Sequence, residues 1–153
     1  MTIDGLTITD TVYTHDWVDW HYHEQPYFTF ILEGQLIEGD KKNKVHAGPG
    51  TLLFHNWQDP HYNSKPAGRT RGFHLELSQS WIDRQGSEVV MPTGSSNLQD
   101  PRGKLLKYQL FKECKGNGPE RDLAITALLL ELLQTASQRS VKKGIKSRGR
   151  YDP

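Results

Sequence analysis

Apolar and polar positions in the first half of the chain follow a period of two, in short runs separated by turn residues. Leu6 to Tyr13 alternates with Leu6 and Ile8 on one side, and His15-Asp16 turns the chain into a second run, Trp17 to His23. Gln25-Pro26 ends that run. Tyr27 to Glu33 is the strongest strand signal, dense in aromatic and β-branched residues, and Gly34 closes it. Gln35 to Glu38 and Lys44 to Ala47 pair around a hairpin tip, Gly39-Asp40-Lys41-Lys42-Asn43. A Gly48-Pro49-Gly50 turn precedes Thr51 to Phe54, a loop spans Asn56 to Pro60, His61 to Asn63 resumes, and Thr70 to Leu77 follows another Pro/Gly turn. Many short strands at even spacing predict an all-β barrel or jelly roll. Ser80 to Asn97 is ambiguous: Glu88 to Met91 fits one more strand, and Thr93 to Gln99, with Gly94-Ser95-Ser96-Asn97, reads as turn.

The period changes at Asp100-Pro101, an N-cap followed by a proline suited to the first helical position. Leu106, Leu110 and Cys114 recur every four residues, with Leu105, Tyr108 and Phe111 beside them, and Gly116-Asn117-Gly118 ends this helix. A second helix runs from Leu123 to Ala136. One side carries Ile125, Leu128, Leu129, Leu132 and Ala136, the other Leu123, Ala127, Leu130 and Leu133. A helix apolar on two sides must bury both. Either it sinks into its own monomer or one side meets a partner subunit. The expectation is a homodimer using Ile125, Leu128, Leu129, Leu132 and Leu133, because a small domain has little interior to hide such a helix. The predicted organisation is a barrel over 1–98, an antiparallel helical hairpin for dimerisation over 99–137, and a basic linker over 138–153. The class is therefore mainly β (α+β).

Composition changes this picture little. The 153 residues fit one domain, with 35% hydrophobic and 24% charged residues. The formal net charge of +1 marks no general nucleic-acid binder, although six Lys/Arg against one acid from Arg139 onward put +5 in the tail and −4 in the rest. The solvated-linker reading of that tail is preferred over a polyanion contact. A single cysteine, Cys114, excludes an internal disulfide and argues against a Cys-based zinc site. A polar N-terminus without an apolar core and the lack of long apolar runs predict a cytoplasmic protein with no membrane partner. The sequence contains no phosphate loop and no dinucleotide fingerprint, and its Ser, His and Asp residues are too scattered for a triad.

Histidines carry the candidate chemistry. His21 and His23 are two apart, so in a strand both look into one cavity, where His61 meets them from another strand. Trp17, Trp20 and Trp57, with Tyr22 and Tyr62, are close in sequence to the mouth of that cavity, and aromatics with a few polar groups suit a small-ligand pocket. Packing in the core or as a lid is the competing reading for Trp17 and Trp20. The candidate ligand-binding set is His21, His23, Tyr27, Trp57 and His61. His55 and His74 are weaker candidates, read as satisfied core or surface histidines, and His15 and His46 as turn or exposed positions.

The run His21-x-His23-Glu24-x-Pro26-Tyr27-Phe28-x-Phe30-x-Leu32-Glu33-Gly34, followed by Pro49-Gly50-Thr51-Leu52-Leu53-Phe54-His55 and then His61, resembles the two cupin motifs. It is most similar to the version in the N-terminal sensor domain of AraC-type transcription regulators. The resemblance covers roughly Trp17 to Leu77, about two-fifths of the chain, and the helical pair fits it as well. It implies a cupin-like double-stranded β-helix that binds a small-molecule effector, an antiparallel helix pair that dimerises, and a linker to a DNA-binding domain with two helix-turn-helix motifs, for which no pattern follows the second helix here. These residues are expected to be the sensor half, a free-standing relative being the alternative. In metal-binding cupins two His, one Glu and a third His hold the ion. His21, His23 and His61 stand in the histidine slots, but Tyr27 occupies the Glu slot, and Glu24 and Glu33 do not fill it. Three imidazoles suffice for zinc, nickel, copper or iron, and metal-free polar lining is the other reading. The expected function is effector sensing without catalysis, and the alternative is a small metal-dependent cupin oxygenase or isomerase.

Overall fold

A computed structural model describes residues 2–56, 58–92 and 94–149, with side chains as far as Gln138. The strands are β1 (Thr2–Ile3), β2 (Leu6–Val12), β3 (Trp17–His21), β4 (Tyr27–Glu33), β5 (Leu36–Gly39), β6 (Lys44–Ala47), β7 (Leu52–His55), β8 (His61–Ser64) and β9 (Arg71–Leu77). Next come α1 (Gln79–Gln85), a 3-10 turn (Gly86–Glu88), β10 (Ser96–Leu98), α2 (Pro101–Lys115) and α3 (Arg121–Gly149). All strand pairings are antiparallel. They form a six-stranded sheet, ordered β1-β2-β9-β4-β7-β10, and a four-stranded sheet, ordered β3-β8-β5-β6. The two sheets make the barrel that the turn spacing predicts and that the resemblance implies to be cupin-like.

The register of the central strand β4 decides where everything lies. Phe28 pairs with Phe54 and Leu75, and Phe30 with Leu52 and Phe73, so these apolar side chains share one face of the large sheet. That face is outside the barrel. It packs on Trp81 of α1, on Leu106, Leu110 and Cys114 of α2, and on Ile125, Leu129, Leu132, Leu133 and Ala136 of α3, as one continuous core. The opposite row of β4, Tyr27, Thr29 and Ile31, pairs with His55 and Leu53 on β7 and with Glu76, His74 and Gly72 on β9. This inner face is polar at one end and apolar at the other, where Ile31, Leu36, Ala47 and Leu53 form a separate small cluster with Tyr13 and Val45.

Four of the five side chains expected at a dimer interface are therefore committed elsewhere. Ile125, Leu129, Leu132 and Leu133 are fully buried in the chain's own core, and Leu128 is half-buried against it. The barrel wall is apolar on its outer side and must be covered; α3 covers it. Among the described residues of α3, the large apolar side chain left to solvent is Leu123, 74% exposed.

Asp100 caps α2, its side chain accepting from the Arg102 amide at 2.8 Å, and Pro101 opens the helix as expected. Lys115 at the other end reaches Asp10 of β2 (3.0 Å), which Arg71 of β9 also holds (2.8 Å), tying the helix to the sheet. Helix α3 starts at Arg121 and continues to Gly149, past the predicted stop at Ala136. Of the expected linker, 138–149 is thus helical backbone, while its basic side chains from Arg139 and residues 150–153 lie outside the described residues. In the ambiguous region, Ser78 caps α1 by accepting from the Trp81 amide (3.1 Å), which buries Trp81. The extra strand is β10, in the stretch read as turn, while Glu88 to Met91 forms none. None of the described helices is long and apolar enough to cross a membrane.

Candidate functional site

The polar end of the barrel gathers residues from six strands and a loop. His21 is the last residue of β3 and sits opposite His61, the first of β8. His23 lies beyond the end of β3, so strand alternation does not place it. The loop does: its carbonyl accepts from the Gln58 amide at 3.1 Å, and its ring lies 4.3 Å from that of Tyr27, centre to centre. The ring of His21 lies 4.3 Å from that of His61 and 5.3 Å from that of His23. Tyr27 donates its hydroxyl to His61 Nε2 at 3.1 Å. Four of the five expected ligand-binding residues thus converge, and Trp57 lies outside the described residues.

Two backbone contacts fix the ring tautomers. His21 Nδ1 is 2.8 Å from the Asp19 carbonyl and His61 Nδ1 is 3.1 Å from the Asp59 carbonyl. A carbonyl only accepts, so each ring carries its proton on Nδ1 and offers Nε2 as a lone pair.

A carboxylate does reach the site, from a strand outside the motif. Glu38 on β5 lies across from Asn63 on β8, on the same sheet face as His61. It accepts from His55 Nε2 at 2.5 Å and stands 3.8 Å from His61 Nε2. The Asn63 amide, with its nitrogen turned inward, adds a donor to Glu38 at 3.2 Å. Burial alone would raise the Glu38 carboxyl. The charge and hydrogen bond of His55, followed by His61 and His21, outweigh burial and hold Glu38 below its ordinary value. His55 is buried, stacks on Tyr27 with ring centres 4.3 Å apart, and has no hydrogen-bond partner at Nδ1. Its Nε2 is committed to Glu38, so Nδ1 is the ring nitrogen left unpartnered among the described residues.

His74, on β9, also points inward. Its ring nitrogens bond the Tyr13 hydroxyl (3.0 Å) and Thr29 Oγ1 (3.1 Å). Burial pushes both His61 and His74 down to about 4, so these rings are neutral at pH 7. Burial, reinforced by His21 and His55, likewise lowers His23. Burial and the nearby Glu38 push the Tyr27 and Tyr13 hydroxyls up, which keeps them protonated donors.

Two donor groups result, sharing His61. His21, His23 and His61 bring ligand atoms within 4.8 Å of one another, and so do Glu38, His55 and His61. A cavity of about 640 Å³ opens beside the second group, between the hairpin tip Asp40–Lys44 and the start of β10. Glu38, His55 and His61 are in its wall, whereas His21 and His23 are half-exposed on the other side of His61. Trp17, Trp20 and Tyr62 do not line the interior. Tyr62 points outward, opposite His61 in the alternation, and lies across Gly39, where any Cβ would meet its ring at 2.2 Å. Trp17 stacks on it with ring centres 5.1 Å apart, and Trp20 meets it edge-on at 5.0 Å. Tyr22 is exposed.

No protein-family model matches the chain, and no curated protein matches it by sequence. Among solved structures, ToxT from Vibrio cholerae, an AraC-family regulator, matches with a TM-score of 0.58 at 10% identity, over 87% of this chain and 57% of ToxT. A cupin-2 domain protein from Shewanella frigidimarina matches at 0.46 and 12% identity, over 50% of this chain and 74% of that one. The DMSP lyase DddQ from Ruegeria pomeroyi matches at 0.46 and 20% identity, over 50% of this chain and 40% of that one. The chain has a cupin-like fold. At these identities the likeness is one of fold, and fold does not carry function with it. The ToxT match covers more of this chain than the barrel alone contains, so it takes in the helices that follow Leu98.

Proposed function

We propose that the chain is the ligand-sensing domain of an AraC-type transcription regulator, cytoplasmic and homodimeric. Its barrel receives a small polar effector, and DNA is contacted only through a helix-turn-helix domain outside these residues. The observation that carries this reading is the polar, hydrogen-bonding interior of Glu38, His55, His61 and Tyr27 beside an open cavity, in a barrel continuous with a helix pair that the ToxT match also spans. Effector binding there biases the strands that carry the helices on their outer face, which is the differential contact that allostery requires.

A second reading rests on the ring tautomers. Nε2 of His21 is a lone pair held by a backbone contact at Nδ1, the arrangement found behind metal-bound histidines; Nε2 of His61 is held the same way but accepts from Tyr27, a contact an ion would displace, and His23 lies beside them. These residues fit a divalent ion, with zinc, nickel or iron as candidates. His21, His23 and His61 would hold it, and Glu38 would stand close to it as an acceptor. A metal would supply Lewis acidity. In this reading the chain is a small metal-dependent cupin enzyme.

Transcript profiling of a strain carrying Glu38→Gln and His55→Phe separates the two. A sensor predicts one small gene set fixed in a single expression state, with the protein's abundance unchanged. An unaltered transcriptome with an accumulating metabolite would reject sensing in favour of catalysis.

A further inference from the structure

A second polar site lies outside the barrel, where the Pro49-Gly50-Thr51 turn, β10 and α2 meet. Lys107 of α2 is 1% exposed, and its Nζ has no hydrogen-bond partner among the described residues. The ammonium stands over the Phe30 ring at 4.8 Å and the Tyr108 ring at 5.2 Å, contacts that favour a cation without satisfying its three donors. An unpaired buried amine is costly, and a protein that keeps one at the wall of a cavity supplies a donor for something else.

The cavity beside it measures about 470 Å³ and is lined by His46, Thr51, Asn97, Gln99, Lys104 and Tyr108, with Pro49, Gly50, Leu98 and Lys107. No carboxylate is among these described lining residues, so the two lysines have no counter-charge there. Burial, reinforced by Lys104, pushes the Lys107 ammonium down to about 8, as expected for a cation without an anion. Gly50 adopts φ +89°, and a Cβ built on it comes 3.6 Å from Lys107 Nζ and 3.9 Å from the Tyr108 hydroxyl. A glycine here keeps the ground above the amine free of side-chain atoms.

We propose that this cavity is an oxyanion-binding site, with Lys107 as the buried anchor, Lys104 as the outer cation, and Tyr108, Asn97 and Gln99 as neutral donors. Its ligand is a small molecule bearing a phosphate or carboxylate group. An oxyanion there makes a charge-assisted hydrogen bond to Lys107 and pins α2 against the turn before β7. This site is separate from the barrel interior and stands or falls without it.

The test uses the whole chain, with inorganic phosphate and acetate as probes and chloride at matched ionic strength as control. Phosphate, acetate or both should raise the melting temperature beyond the chloride control, and which anion acts identifies the class of ligand. Lys107→Met should abolish the response or weaken it about tenfold to a hundredfold, the range for one charge-assisted hydrogen bond, and Lys104→Ala should weaken it less. Should Lys107→Met fail to fold, ¹³C-dimethylation of the unaltered chain gives the same answer, because the Lys107 resonance must shift on adding anion. A chain indifferent to both anions, a Lys107→Met variant that still responds in full, or an unmoved Lys107 resonance would each overturn the assignment.

Discussion

His61 belongs to both donor groups, and its surroundings fix how it titrates. Burial holds it near 4 in the folded chain against an ordinary value of 6.5, and His74 behaves the same way. Between those values the unfolded chain binds protons that the folded chain refuses, so stability rises with pH in that window and is lost as pH falls through it. His61 alone accounts for on the order of 3 kcal/mol, a figure that solvent reaching the ring would reduce. Glu38, also held below its ordinary value, acts in the same direction at lower pH. Urea unfolding should therefore show a free energy that falls steadily from pH 7 to pH 4.5. The double variant His61→Gln, His74→Gln should flatten that dependence, and an unchanged slope would mean that neither ring is buried neutral. Spacing in the sequence picked out His21, His23 and His61, although His23 reaches the site from the loop after β3 and not by strand alternation. Spacing was not enough for Glu38 and His55, whose meeting depends on the β5–β8 and β4–β7 registers, long-range pairings that no local window contains. One local clue existed: Glu38 shares its side of β5 with Leu36, a charged residue in step with a buried one.

At the scale of elements, the bounds of α2 were readable because caps and period are local: Asp100-Pro101 starts it, and Gly116 follows its end, whereas α1 and the continuation of α3 past Ala136 were not. Which side of each element faces inward was not readable. Phe28 and Phe30 alternate with Tyr27 and Thr29, and either row could have lined the barrel. The structure turns the aromatic row outward, so the large sheet needs a cover and α3 supplies it with the side chains expected at a dimer interface. This makes two outcomes distinguishable. Leu129→Ala should cost about 2–5 kcal/mol of unfolding free energy, as cavities in close-packed cores do, without altering the sedimentation coefficient of the folded species. Leu123→Glu should leave unfolding within about 0.5 kcal/mol, as exposed substitutions do, while shifting the proposed dimer toward monomer. A dimer indifferent to Leu123→Glu would use a surface other than the start of α3.

The whole molecule has two interiors of different character, separated by the large sheet. One is continuous and apolar and joins that sheet to the three helices. The other pairs a small apolar cluster with the Glu38–His55–His61 network and holds the four-stranded sheet in place. Apolar burial depends little on pH, whereas the network depends on a neutral His61 and an ionised Glu38. The two halves should open separately, as cooperative units with unlike stabilities do. Hydrogen exchange at pH 7 should place amides of β3, β5, β6 and β8 in a less protected class than those of β4, β9 and α3. Lowering the pH to 5, after correction for intrinsic exchange rates, should cost the four-stranded sheet more of its protection than the sheet–helix layer, in which His74 of β9 is the matching titrating ring. A ligand bound against Glu38 and His55 should reverse that order, protecting β5 and β8 first. Uniform loss across both sheets would mean that the polar network and the apolar core form one cooperative unit, and binding inside the barrel would then reach the helices without any intermediate opening.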